Sequence, residues 1–249
     1  AAVGHVEIIG IVCPPFSSNI ESFSSMSTPA ASAQYHHDGF YINAEPIVPQ
    51  DVIEAAVCGM DEVRRGVYDT GVSPPASAWT PGDDDKLLCK IECAHVANHA
   101  IRELVTYPAI GEFAAQITGA SMIQVFGMQM LHKPPVQPQS NTVVGWHQDR
   151  RYWDFWRKGN ELFTVWVALS DVTGESGPMK FVRGSHQWGF FNEPGFFEQD
   201  NESIKNRLPL TDDHKWEEVN VILPPGGISL HQDLTLHASE VNRTAVPRR

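Results

Sequence analysis

The chain is poor in cysteine, basic residues and long apolar runs, and each shortage excludes a class of protein. Four cysteines (Cys13, Cys58, Cys89, Cys93) in 249 residues are too few for a disulfide framework, which fits a reducing compartment. Eighteen Lys and Arg against thirty Asp and Glu leave a formal charge of −12, which repels phosphate backbones and anionic bilayers. Neither nucleic acid nor a membrane surface is therefore expected as a partner, and a small molecule is. The apolar run near the N-terminus, Ile8 to Cys13, is too short to span a bilayer, and no basic residue precedes it as a secretory signal requires. The reading is a soluble, cytoplasmic protein. The sequence does not set its oligomeric state.

Other absences concern chemistry. No βαβ alternation, glycine-rich phosphate loop or internal repeat is visible, which disfavours a nucleotide-binding α/β sheet. No G-x-S-x-G elbow or cysteine-nucleophile signature supports acyl transfer. Cys89, Cys93, His95 and His99 have the right donor types for zinc, but they lack the paired C-x₂-C knuckle of structural sites.

The chain is long enough to bury a core without staples. Residues 1–33, rich in Ser, Ala and Pro, read as a weakly structured leader in which Met26 is a candidate natural start, and residues 34–249 read as a single domain. After the strand-like GFYIN, apolar residues from Val52 to Val63 recur at helical spacing, so a helix is expected to start near Gln50. Further helical tracts are expected at Leu87–Leu104 and Pro108–Thr118, the first following an exposed SPPASAWTPGDDD loop. From about residue 120 the pattern changes to short β-prone runs: MIQVFGMQMLHK, LFTVWVALSDV, MKFVRGSH, VNVILPP and GISLHQDLTLHA. The fold class is mainly β with flanking helices, a sandwich or barrel core.

His-x-Asp offers an imidazole and a carboxylate to one metal ion, and it occurs three times where chance predicts less than one: His36/Asp38, His147/Asp149 and His231/Asp233. The first sits where a turn or helix cap explains the Asp. The second follows a loop and has candidate third ligands about 90 residues on, the layout of a 2-His-1-carboxylate facial triad. His231 and His237 are both available as the distal ligand, and their even spacing puts them on one strand face.

The segments WHQD, TVWVALSDVTGESGPMKFVRGSH and LHASEVNRTAVPRR, with HHDGFYIN and KIECAHVANHAIRELV upstream, resemble the phytanoyl-CoA dioxygenase family over Gln34 to Arg249. The resemblance implies a double-stranded β-helix (jelly-roll, cupin-like) core and an Fe(II)/2-oxoglutarate-dependent dioxygenase. His147, Asp149 and His237 would be the ligands of Fe(II), with 2-oxoglutarate and O₂ as cosubstrates. It favours His237 because Ser239, Asn242 and Arg248 follow at the family's +2, +5 and +11 positions, and it leaves His231 as a barrel-lining neighbour. Arg248 with Ser239 would grip the far carboxylate of 2-oxoglutarate, since Arg is a planar two-pronged donor. Trp166 would point towards the cosubstrate or serve as a core aromatic. Gln129 and Lys133 would bond 2-oxoglutarate or substrate, although an edge-strand Lys ordinarily faces solvent. His186 would shape a loop. The family ordinarily continues through a further strand beyond the position of Arg249.

With a carboxylate kept at Asp149, the resemblance implies hydroxylation of an unactivated C–H bond, with release of succinate and CO₂, in preference to halogenation. Two other readings stay open: a catalytically silent jelly-roll binding protein, and a metal-dependent cupin-type isomerase or hydrolase. Aromatics at Tyr152, Trp153, Phe155 and Trp156, and again at Trp188, Phe190, Phe191, Phe196 and Phe197, suggest an apolar pocket wall or lid. Arg150, Arg151, Arg157 and Lys158 beside them form a solvated basic face or neutralise an anion, so the substrate is expected to be apolar or anionic.

Overall fold

The computed structural model describes residues 7–12, 28–137, 142–153, 162–192 and 195–249. Phe155, Trp156, Arg157 and Lys158 lie outside these residues. The chain order is β1 (Glu7–Val12), α1 (Thr28–Asp38), β2 (Phe40–Asn43), α2 (Gln50–Arg64), β3 (Cys89–Glu92), α3 (His99–Val105), α4 (Pro108–Thr118), β4 (Ile123–Val125), β5 (Gln129–His132) and β6 (Val144–His147). It continues with β7 (Leu162–Val167), β8 (Met179–Val182), α5 (Asn201–Arg207), β9 (Glu218–Asn220), β10 (Ile228–Gln232) and β11 (His237–Ser239). One sheet has the order β2-β10-β7-β1-β4, a second β6-β11-β8-β9, and β3 pairs with β5. Among the described residues no helix is long and apolar enough to cross a membrane.

Residue alternation assigns the faces. On β7 and β10, Phe163, Val165, Val167, Ile228 and Leu230 face outward and join the main core with α1 to α4, through Tyr35, Ile53, Met60, Ile101, Leu104 and Ile110. Between them Thr164, Trp166, Ser229 and His231 point inward, with Thr164 opposite His231 and Trp166 opposite Ser229. In the second sheet Trp146, Val182 and Ala238 face outward onto Ile204 of α5 and Leu208 just after it. His147, Phe181 and His237 face inward, with His237 opposite both. Helices therefore cover the outer faces, and between the sheets polar side chains lie beside a smaller apolar cluster of Phe40, Trp166, Met179 and Phe181.

Three expectations are corrected. The leader contains a strand: Glu7–Val12, whose EIIGIV is β-branched and apolar, lies between β7 and β4. The tract Leu87–Leu104 is not one helix. Cys89–Glu92 pairs antiparallel with Gln129–His132, Cys93 adopts a left-handed conformation (φ 49°), and α3 starts only after Asn98 caps it by accepting from the Ile101 amide at 3.1 Å. His231 and His237 do not share a strand, because a turn at residues 233–236 carries the chain from one sheet to the other. By contrast α2 begins at Gln50 and α4 spans Pro108–Thr118, as the periodicity predicts.

Two glycines separate packing from propensity. At Gly145 in β6 a Cβ would lie 2.5 Å from the Glu198 carbonyl and 2.9 Å from that of Gly195, both backbone atoms that cannot swing aside. At Gly111, inside α4, a Cβ would meet nothing within 4 Å. Gly145→Ala should destabilise by roughly 1–3 kcal/mol, and Gly111→Ala should stabilise by about 0.5–1 kcal/mol. Urea unfolding of the two variants checks both signs.

Candidate metal centre

His147 closes β6, Asp149 opens the 3-10 turn Asp149–Tyr152, and His237 opens β11 directly across from His147. The two imidazole centroids are 4.0 Å apart. One donor atom from each of the three residues lies within 4.8 Å of the others, and all three residues are buried.

The hydrogen bonds settle which atoms face inward. His147 Nδ1 lies 2.7 Å from the Gly145 carbonyl and His237 Nδ1 2.9 Å from the Thr235 carbonyl. A carbonyl only accepts, so each Nδ1 carries the proton and each Nε2 presents a lone pair. Both Nε2 atoms are buried without a hydrogen-bond partner among the described residues, and they face Asp149 Oδ1 at 3.9 and 3.5 Å. Two orphaned buried nitrogens and one carboxylate oxygen aimed at a common point are the donors that a divalent ion such as Fe(II) takes. Burial, reinforced by the neighbouring His237, pushes the His147 pKa down to about 3, so this ring is neutral at neutral pH, as ligation requires. Burial opposes ionisation of Asp149, but His237 and His231 outweigh it and hold the carboxyl well below the usual range.

His231 is fully buried and sits beside this set, its ring centroid 4.5 Å from that of His237. Its Nε2 meets the other carboxylate oxygen, Asp149 Oδ2, at 3.0 Å, and Thr164 Oγ1 donates to the same oxygen at 2.9 Å. Asp233 turns away to Arg150 at 2.9 Å, so the 231/233 pair does not converge on one point. His36 and Asp38 end α1, where Asp38 pairs with His37 and Arg183 and ties the helix to β8. His186 Nε2 reaches the His36 carbonyl at 3.1 Å, a loop-anchoring contact.

A second polar cluster adjoins the first. Lys133 is fully buried, contrary to the behaviour of an edge-strand Lys, and its ammonium donates to Ser239 Oγ at 2.7 Å and to the Glu240 carbonyl. Arg248 is 2 % exposed and pairs with Lys133 through two backbone hydrogen bonds of 2.9 Å. Its Nε and Nη2 have no partner among the described residues, and its guanidinium carbon lies 5.6 Å from the Trp166 ring centroid. Asn242 makes this return possible: its Nδ2 donates to the Lys133 carbonyl at 3.2 Å and the Val246 carbonyl at 2.7 Å, and its Oδ1 accepts from the Thr244 amide at 3.0 Å. Burial pushes Arg248 down to about 10, and burial followed by Arg248 pushes Lys133 well below its ordinary value. Two buried basic groups thus adjoin, hydrogen-bonded only to neutral acceptors among the described residues, with the Glu240 carboxylate as an opposing charge near Lys133.

Gln129 shares the inward face of β5 with Lys133, but no contact among the described residues joins it to the three donors; its Oε1 is buried and unpartnered. Thr164 and Lys90 carry structure that the sequence did not single out, whereas His231 is the barrel-lining neighbour of the metal ligands that the resemblance implies. Lys90 is fully buried on β3, paired with Glu92, its ammonium 5.7 Å from the Phe196 ring centroid. Phe196 and Tyr152 stand edge-on to His147, with centroids 5.4 and 6.2 Å away. Of the second aromatic group, Phe191 and Phe196 are buried while Phe190 and Phe197 are exposed. Cys89 faces the main core, where burial raises its thiol to about 12, and the Cys89–His99 set forms no metal-ligand cluster among the described residues.

Comparison with known proteins fits this geometry. A curated relative, a probable alpha-ketoglutarate-dependent hypophosphite dioxygenase of Stutzerimonas stutzeri, is 27% identical over 176 residues, which cover 68% of this chain and 57% of that protein. The chain thus spans little more than half the length of that relative. Among solved structures, the non-heme alpha ketoglutarate dependent carbocyclase SnoK of nogalamycin biosynthesis matches with TM-score 0.63 and 22% identity, over 91% of this chain and 84% of that one. The epimerase SnoN, in complex with Fe3+, alpha ketoglutarate and nogalamycin RO, matches with TM-score 0.63 and 22% identity, over 89% and 80%. These likenesses establish the jelly-roll fold. The family model described as Phytanoyl-CoA dioxygenase (PhyH) matches residues 35–249, and the chain belongs to that family.

Proposed function

We propose that the protein is an Fe(II)/2-oxoglutarate-dependent dioxygenase that hydroxylates a C–H bond of a small organic substrate and releases succinate and CO₂. The observation that carries the reading is the pair of buried, unpartnered Nε2 atoms of His147 and His237 facing one oxygen of Asp149. These three residues would hold the ion on one side and leave its other side open. When bound, Fe(II) and 2-oxoglutarate supply the oxidising chemistry.

The chain's own residues do the rest. Arg248 and Lys133 present two buried cations, which suits the far carboxylate of a dianionic cosubstrate, and Ser239 orients the Lys133 ammonium. Trp166 stands beside the guanidinium and limits where it can lie. Gln129, half-buried further along the inward face, is assigned to the same chamber as a polar contact for cosubstrate or substrate. Phe196 and Tyr152 wall the other side of His147 and exclude water. That wall is apolar with the Lys90–Glu92 pair behind it, which supports a small organic substrate. The retained carboxylate of Asp149 supports hydroxylation.

His147→Ala, Asp149→Ala and His237→Ala should each reduce Fe(II)-dependent succinate formation to background with circular dichroism unchanged. Anaerobic Fe(II) with 2-oxoglutarate should give the weak visible charge-transfer band of a chelated keto acid. No band from the folded protein would favour a silent binding protein, and metal binding without succinate an isomerase or hydrolase. Arg248→Ala should raise the 2-oxoglutarate concentration needed roughly 10- to 100-fold, the loss expected for charge-assisted hydrogen bonds.

Lys133→Met separates stability from function. Replacing a buried amine, whose protonation burial disfavours, with an apolar side chain should raise the stability of the unliganded protein by roughly 1–4 kcal/mol. Because the folded-state pKa of Lys133 is depressed, the unfolded chain holds the extra proton between that value and about 10.4. Wild-type stability should therefore fall as pH is lowered through this window, and the variant should lose that slope. Thermal melts across pH, with and without 2-oxoglutarate, test this; a variant that gains the wild-type stabilisation from 2-oxoglutarate removes Lys133 from the site.

A further inference from the structure

Asp149 sits on a four-residue 3-10 turn, a short element that does little to fix a carboxylate. Its orientation comes from the opposite sheet. Thr164 on β7 and His231 on β10 are direct cross-strand partners, and both reach Oδ2, at 2.9 and 3.0 Å. Only Oδ1 is then left facing the two unpartnered Nε2 atoms. A nitrogen 3.0 Å from a carboxylate oxygen that also accepts from a hydroxyl must carry the proton, so His231 is an Nε2–H tautomer and has no lone pair on that side. Its Nδ1 is buried without a partner among the described residues, and Phe181, 5.0 Å away and stacked on Phe40, gives the ring no competing polar contact.

Resting on the metal-site reading above, we propose that His231 and Thr164 are positioning residues: they occupy one oxygen of Asp149, force it to bind a divalent ion through the other alone, and make metal affinity depend on the five-stranded sheet. Partners of this kind that orient a ligand typically contribute 10- to 100-fold to metal affinity.

The test is an anaerobic Co(II) titration of the full chain without 2-oxoglutarate, read by the visible cobalt absorption and its dissociation constant. Thr164→Val and His231→Leu should each weaken Co(II) binding roughly 10- to 100-fold and change the shape of the cobalt band, as a carboxylate released at Oδ2 rebinds through both oxygens or swings away. His231→Gln, whose amide N–H can serve the same oxygen, should recover most of the affinity and the wild-type band. Folded Thr164→Val and His231→Leu proteins with wild-type affinity and spectrum would overturn the proposal. Should His231→Leu fail to fold, Thr164→Val, equal in shape and well suited to a strand, decides alone. If the wild-type chain takes up no Co(II), the metal-site reading falls and the positioning role with it, an outcome distinct from a wild-type site that is indifferent to the two substitutions.

Discussion

The hydrogen bonds from Nδ1 of His147 and His237 to carbonyls two residues earlier are the constraint on which the site depends. Each lies within the strand end or turn that carries the ring, so local backbone geometry fixes the tautomer before any ligand arrives. The antiparallel register then sets the two rings opposite each other. Without those bonds the imidazoles could present either nitrogen, and the cavity would hold two mobile bases in place of two aimed lone pairs. Helices pack the outer faces of both sheets and supply the larger core, so the inner faces carry only a smaller apolar cluster around Trp166 and Phe181 and have room for polar side chains beside it.

That division of labour explains where sequence reading succeeds. The period-3.6 pattern of Val52 to Val63 and of Pro108 to Thr118 reports helices that bury one stripe, and both lie where the pattern puts them. The His-x-Asp at 147 and 149 is legible because few other residues explain it. The His237 assignment needed the spacing of Ser239, Asn242 and Arg248, whose role is visible only in three dimensions, where Asn242 folds the chain back so that Arg248 lies across from Lys133.

It also explains where reading fails. In β3, Cys89 and Ile91 face the helices while Lys90 and Glu92 face inward, so the usual alternation is inverted and the tract imitates an amphipathic helix. The same inversion makes Lys133 look solvent-exposed when it is fully buried. Thr164 gives no signal, since threonine in a β-prone run is explained by strand propensity alone. His231 and His237 are six apart, and parity places them on one face only if the strand is unbroken; a four-residue turn changes the sheet yet leaves both rings pointing inward.

Charge gives the last link between fold and the proposed chemistry. Lys133 and Arg248 bring two basic groups into the interior, where burial depresses both pKa values and the Glu240 carboxylate only partly offsets this for Lys133. One carboxylate and two neutral imidazoles holding a divalent cation would add a further net positive charge. A dianion that spans from ion to guanidinium would offset most of that excess, and each opposite charge strengthens the hold on the other because little water screens them. Metal and cosubstrate should therefore bind with positive coupling, each site raising affinity at the other by the same factor. An apolar or neutral molecule in the same place would leave this charge without an opposing anion, so on the proposed function the selectivity for a dicarboxylate would belong to the buried pair Lys133 and Arg248 as much as to the ion.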